Sequence, residues 1–385
     1  MGTIQCLQLN IYTPNTANST NTLPVMVYLH GGSFVRGHKG KADLNPQFLI
    51  RHDVIIVTIN YRLGMYGFLC LSEPGFNNQG LKDQILALQW VKDNIEAFGG
   101  DAKRVTAFGQ SAGAMTLDVQ LLSKEDFVQR AILQSGTSLT TWVIATQNDT
   151  IPINTAARLG YNANDVKGAI DYLSNKNPLE VIQAANDLEI MSFGIGHPFT
   201  TPCVETVGED ALLKDFPVNL QPKVKDMDIM IGHTNKEVMF LYPESDKYFY
   251  ENYKFEDELS YDFDGFYDVD TVRHFYVGDE DLNEDLQSRI LDYGSDFAFF
   301  HPTERAVEKY LNAGANNVYR YIFTYEGDRN RMKITRNLTS DGASHGDDLG
   351  YLFDMMLFEN ETASEDDQRI IDAMTTMWTN FAKYG

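Results

Sequence analysis

The chain has 385 residues, 43% of them hydrophobic and 22% charged, with a formal net charge of −23 and a pI near 4.6. That charge argues against a nucleic-acid partner, since binding a phosphate backbone needs a basic face. No apolar run is long enough to span a bilayer, Met1-Gly2-Thr3-Ile4-Gln5 lacks the basic and apolar regions of a signal peptide, and the three cysteines (Cys6, Cys70, Cys203) have no metal-binding spacing.

The first apolar run of strand length spans 24–29 and ends in His30-Gly31-Gly32-Ser33-Phe34. A turn of this type places backbone N–H groups where they can hold an oxygen that becomes negative in acyl transfer. Gly32 and Ser33 are the candidate donors. A second strand is expected over 53–60 and a third over 104–108. The third runs into Gly109-Gln110-Ser111-Ala112-Gly113, and Ala114-Met115-Thr116-Leu117 can open a helix. Strand, G-x-S-x-G turn and helix is the setting of a nucleophile elbow, in which small neighbours let the backbone bend sharply and expose the serine hydroxyl. Ser111 is therefore the candidate nucleophile, and the N–H of Ala112 a third oxyanion donor. Further strands are expected over 130–134, 227–232 and 317–325. Residues 141–225 and 240–315 read as mostly helical insertions above the carboxyl ends of the strands, where α/β sheets bind ligands. The expected class is α/β: an α/β-hydrolase fold with a mostly parallel central sheet, helices on both faces and helical insertions over the active site.

The base should follow the nucleophile, in the chain order serine, acid, histidine. Gly342-Ala343-Ser344-His345-Gly346-Asp347-Asp348 surrounds its histidine with small residues, as suits a loop that must bring an imidazole to Ser111. His345 is the candidate base. His197, His233, His274 and His301 read as surface or packing residues. The acid is not settled by these patterns.

Several segments together carry a family resemblance. Cys6-Leu7-Gln8-Leu9-Asn10-Ile11-Tyr12-Thr13-Pro14, Asn60-Tyr61-Arg62-Leu63-Gly64, Gly80-Leu81-Lys82-Asp83-Gln84 and Ala87-Leu88-Gln89-Trp90-Val91 precede the elbow; Leu133-Gln134-Ser135-Gly136 follows it. With these the chain resembles a type-B carboxylesterase of the carboxylesterase–cholinesterase family. The resemblance is dense from 6 to about 143, thins through the middle, and returns at 228–240, 318–327, 342–353 and 374–385. It implies a serine esterase acting on small-molecule esters through an acyl-enzyme, with no cofactor or metal. It also implies the acid. His233-Thr234-Asn235-Lys236-Glu237-Val238-Met239-Phe240 resembles the family's G-x-x-x-D-E-G-x-x-F, and the match to the triad glutamate falls on Glu237. Lys236 and Val238 depart from that pattern, and Asp347 and Glu326 are the competing acids. A non-catalytic binding or adhesion protein is the alternative class, but such relatives typically lose triad residues.

Other departures are informative. Ser33 replaces the third glycine of H-G-G-G-F, and its N–H remains. Gln110 replaces the glutamate of G-E-S-A-G, removing a charge beside the nucleophile. In this the elbow resembles that of juvenile-hormone esterases and some other insect members. The family partner of Cys6 would lie upstream, and Tyr172 stands where a second family disulfide would begin, so the sequence assigns no disulfide. The family favours secretion, although four sequons (Asn18, Asn148, Asn337, Asn360) are close to the number chance would produce. The whole chain, 1–385, is expected to be one domain of this family. The resemblance starts and stops abruptly, so the domain is expected to be incomplete at both ends, with strand edges and apolar surface uncovered. Much of the acidity falls in 244–296, interleaved with Tyr and Phe. Amphipathic helices with a solvated acidic face are the expected reading there, ahead of a negative rim attracting cations.

Overall fold

A computed structural model of the chain describes residues 5–18, 20–123, 127–193, 200–208, 211–262, 268–359 and 361–385. His197, Asn360 and the aromatic stretch 263–267 lie outside the described residues. Seven strands form one sheet: β1 Leu9–Tyr12, β2 Leu23–Leu29, β3 Ile55–Ile59, β4 Gly100–Gln110, β5 Arg130–Gln134, β6 Asp228–Thr234 and β7 Asn317–Phe323. Their order is β1-β3-β2-β4-β5-β6-β7. Only the β1–β3 pair is antiparallel.

The central strands are apolar on both sides because both faces are covered. Along β2, Val25, Val27 and Leu29 join one core and Met26 and Tyr28 the other. Each buried side chain of this size contributes about 1.5–3 kcal/mol, which makes the register costly to slip. The closing helix, Glu365–Tyr384, covers the second face. Ser364 caps it by accepting from the Asp367 N–H at 3.1 Å. Ile371, Met374, Trp378 and Phe381 then recur at helical spacing and enter that core.

Three expectations need correction. β1 was not anticipated as a strand: it is four half-buried residues at the sheet edge, although Leu9, Asn10 and Ile11 alternate apolar and polar and Leu9 and Ile11 face the same core. β4 begins at Gly100, four residues before the apolar run, because Gly100 pairs with Leu23 across an irregularity in register. Cys70 and Cys203 form a disulfide, which the sequence left unassigned. Asn78 holds Cys203 from both sides, accepting from its N–H at 2.9 Å and donating to its carbonyl at 2.8 Å. Linking residues 133 apart restricts the unfolded chain, an effect of about 4–5 kcal/mol in a chain-entropy treatment. Cys6 is free.

The acidic segment packs as amphipathic helices. Lys247–Glu251, Phe255–Asp262, Val269–Val277 and Gln287–Ser295 bury Tyr250, Phe255, Leu259, Val277, Ile290 and Tyr293 together. Among the described residues, none of the acidic residues of this segment lines the Ser111 cleft.

Candidate active site

The elbow forms where β4 ends. Ser111 has φ 57°, in the left-handed region, which costs a non-glycine residue about 1–3 kcal/mol. The bend is held on both sides. The Ser111 N–H donates to the Gln134 carbonyl at 2.8 Å, and the Ser111 carbonyl accepts from Met115 N at 2.9 Å, starting the helix Ala112–Ser123. A Cβ at Gly113 would strike the Leu29 carbonyl, and one at Gly109 would lie 2.6 Å from the Gly113 carbonyl carbon. The turn therefore closes only with hydrogen at both positions.

The loop after β2 lies against this turn. Gly32, Ser33 and Phe34 all have positive φ (121°, 54° and 63°). Ser33 thus occupies the conformation a glycine would take there at lower cost. A Cβ on Gly31 would lie 2.9 Å from Ser111 Cβ, so the loop and Ser111 touch. His30 steadies the loop, with its ring stacked on Tyr61 at 4.4 Å and its carbonyl accepting from Tyr61 Oη at 2.5 Å. Burial pushes the His30 imidazole down to about 4, so it stays neutral at physiological pH. Gly32 and Ser33 line a cleft of about 360 Å³ together with Ser111 and His345. Ala112 lies fully buried behind Ser111.

Glu237 and His345, 108 residues apart in the chain, meet because the loops that carry them follow the neighbouring strands β6 and β7. Lys236 N donates to the Ala343 carbonyl at 3.0 Å, and Ala343 N donates to Asn235 Oδ1 at 2.8 Å, zipping the two loops together. Glu237 Oε1 accepts from the Thr234 N–H at 2.7 Å; Oε2 lies 2.5 Å from His345 Nδ1. Burial alone would push the fully buried Glu237 carboxyl up, but the positive charge on His345 and its hydrogen bond hold it below its ordinary value. The unfamiliar neighbours do not intrude. Lys236 turns away to Asp292, 2.5 Å distant, and Val238 packs into the core. The competing acids are engaged elsewhere: Asp347 Oδ1 accepts from Met332 N at 2.6 Å and Glu326 Oε2 from Lys333 Nζ at 2.6 Å.

Some site residues had no sequence signal. The His345 ring packs between Phe240 (5.1 Å) and Phe299 (5.0 Å). Phe299 reaches it from a wide π-type turn, Asp296–Phe300, which no local pattern announced. Asp348, which follows Asp347 in the same loop, is fully buried; burial pushes it up to about 6 although Gln134 donates to it at 2.7 Å. His233 is a packing histidine, stacked on Phe300 at 3.8 Å. The Gln110 side chain also enters the site: its Nε2 lies 3.1 Å from His345 Nε2. With the Nδ1 proton directed to Glu237, Nε2 is the acceptor and the amide donates. No hydrogen bond joins Ser111 Oγ to His345 among the described residues. Among the same residues, no cluster of His, Cys, Asp or Glu could hold a metal, and no helix is long and apolar enough to cross a membrane.

The strand order and the strand–serine–helix turn define an α/β-hydrolase. The Carboxylesterase family profile matches residues 4–385, and the chain belongs to that family. Juvenile hormone esterase of Tribolium castaneum is 32% identical over 418 residues, covering the whole chain and 71% of that relative. Human bile salt-activated lipase is 30% identical over 410 residues. The chain spans about half (53%) of that lipase's length. Among solved structures, juvenile hormone esterase from Manduca sexta, with OTFP covalently attached, superimposes with a TM-score of 0.81 at 28% identity; the match covers 98% of this chain and 74% of that one.

Proposed function

We propose that the chain is one carboxylesterase domain that hydrolyses carboxylic esters through an acyl-enzyme on Ser111. The observation that carries this reading is the buried Glu237–His345 contact beside a serine in left-handed backbone. His345 Nε2 takes the proton from Ser111 as its Oγ attacks the ester carbonyl. The N–H groups of Gly32, Ser33 and Ala112 hold the oxyanion, and His345 returns the proton to the leaving alcohol. Water then enters, activated by the same nitrogen, and releases the acid. Glu237 keeps the Nδ1 proton in place and stabilises the imidazolium that forms in each step. The test is labelling. A fluorophosphonate is expected to attach to Ser111, at one site per folded chain, as read by peptide mass spectrometry. A folded chain that takes no label would favour a non-catalytic binding protein instead.

The reading has a consequence at Gln110. Its amide and the Ser111 hydroxyl compete for the same nitrogen, so the amide must withdraw before proton transfer. Being neutral, it does so without favouring the imidazolium. A carboxylate there would favour the charged ring, which cannot accept a proton. For Gln110→Glu, the acid limb of the kcat/KM profile is expected to move to higher pH by about one unit. An unchanged limb would mean that this side chain does not govern His345.

A further inference from the structure

The Ser111 cleft carries charge of the opposite sign to the chain around it. Acidic residues outnumber Lys and Arg by 54 to 31, yet the cleft is lined by three arginines, Arg36, Arg331 and Arg336, and by a single carboxylate, Asp43. That carboxylate has a neighbour of its own: Asp43 Oδ2 lies 3.2 Å from His38 Nε2. None of the three arginines is in an ion pair among the described residues.

Cations beside this cleft but turned away from it are paired. Lys333, two residues after Arg331, donates to Glu326 at 2.6 Å and to the Ser340 carbonyl at 2.7 Å. Arg329 donates to Asp354 at 3.0 Å. Carboxylates are thus abundant in this acidic chain, yet among the described residues none of them pairs with the three guanidinium groups that line the cleft.

Both arginine-bearing segments are anchored to the catalytic machinery. Arg36 N–H donates to the Gly32 carbonyl at 3.1 Å, so its side chain springs from the oxyanion loop. Arg331 opens the helix Arg331–Arg336, and the N–H of the next residue, Met332, is held by Asp347, two positions from His345. An ester bound at Ser111 therefore meets guanidinium groups carried on two anchored main-chain segments. Guanidinium forks suit carboxylates, which they can hold through two parallel hydrogen bonds.

The geometry points to a substrate class: esters that carry a carboxylate remote from the reacting carbonyl, such as half-esters of dicarboxylic acids or esters of hydroxy acids. This assignment rests on the esterase reading above and narrows it. The surface charge outside the cleft repels such an anion, but screening at physiological salt confines the repulsion to about 8 Å. The attraction acts inside the cleft, at contact, and shows in relative kcat/KM.

The test compares matched esters. Mono-para-nitrophenyl adipate against para-nitrophenyl pentanoate places the carboxylate on the acyl side. Meta-acetoxybenzoate against phenyl acetate places it on the leaving group. In at least one pair, the anionic ester is expected to be preferred by on the order of tenfold in kcat/KM after correction for spontaneous hydrolysis. Arg331→Met and Arg36→Met should each lower that ratio several-fold, added salt should lower it too, and Arg331→Lys should retain part of it. A ratio at or below one in both pairs, or one indifferent to both methionine variants, overturns the assignment while leaving the esterase reading intact. Hydrolysis of none of the four esters would count against the esterase reading instead. The arginine site is then decided by calorimetric titration with adipic acid mono-anilide against pentananilide. Tighter binding of the anion that weakens in Arg331→Met supports it, and equal binding refutes it.

Discussion

Ser111→Ala is expected to lower ester turnover by on the order of 10⁴–10⁶, with the fold retained. The size follows from the position of the hydroxyl. Ser111 stands at the bend between β4 and the helix Ala112–Ser123, against the loop carrying Gly32 and Ser33, and lines the same cleft as His345. Removing Oγ removes the atom that forms the bond to the acyl carbon. Only the oxyanion donors and the cleft would remain, and such residues retain a small fraction of a hydrolase's rate enhancement. The fold should survive, because the turn is held by the main-chain bonds of Ser111 to Gln134 and Met115, which alanine keeps. The measurement is kcat on a neutral activated ester, with a thermal melt of both proteins. Activity within tenfold of the parent, in a variant with an unchanged melt, would remove Ser111 from the mechanism.

Glu237→Gln should lower turnover by about 10⁴. The carboxylate makes two charge-assisted contacts, with the Thr234 N–H on one oxygen and His345 Nδ1 on the other. Glutamine has one carbonyl oxygen for two donors. If that oxygen stays on Thr234, the amide presents N–H to His345 and the ring proton moves to Nε2. The nitrogen facing Ser111 then cannot accept a proton. Rotating the amide instead would leave the buried Thr234 N–H facing another donor. The substitution also has a pH signature. Glu237 sits below its ordinary value of 4.5, so its contribution to stability is present above that pH and is lost as the pH falls through the lowered folded value. The difference in melting temperature between parent and variant should therefore be largest near neutrality and shrink in acid. Turnover within tenfold of the parent would show that the imidazole needs no carboxylate, and a difference that stays constant into acid would show that the pair does not stabilise the fold.

The features legible in the sequence are those contained in short contiguous segments. The elbow is one: strand, glycine, serine, glycine and helix fall within a single run, and the steric demand at Gly109 and Gly113 is local. The central strands are another, since burial on both faces leaves mainly apolar runs, as in β2 and β3. β1 is different: Leu9, Asn10 and Ile11 alternate as a one-sided strand should, but the element is only four half-buried residues long and has no apolar run to mark it. Glu237 is intermediate. It could be proposed by resemblance, but its place opposite a histidine 108 residues further on depends on β6 and β7 lying side by side and on the main-chain bonds between the two loops. Other features were decided by the tertiary structure alone. Cys70 and Cys203 meet because Asn78 docks one loop on the other. Gln110 reaches His345, and Phe299 packs on its ring, through side chains that sequence distance says nothing about. The arginines of the cleft are scattered among more numerous acids in the chain. Composition reports only their sum, whereas folding sorts them by direction, so a strongly acidic protein presents positive charge at its candidate active site. Contacts within one turn or strand are dictated by neighbouring residues; contacts between loops are dictated by which strands lie together, and only the assembled sheet determines that.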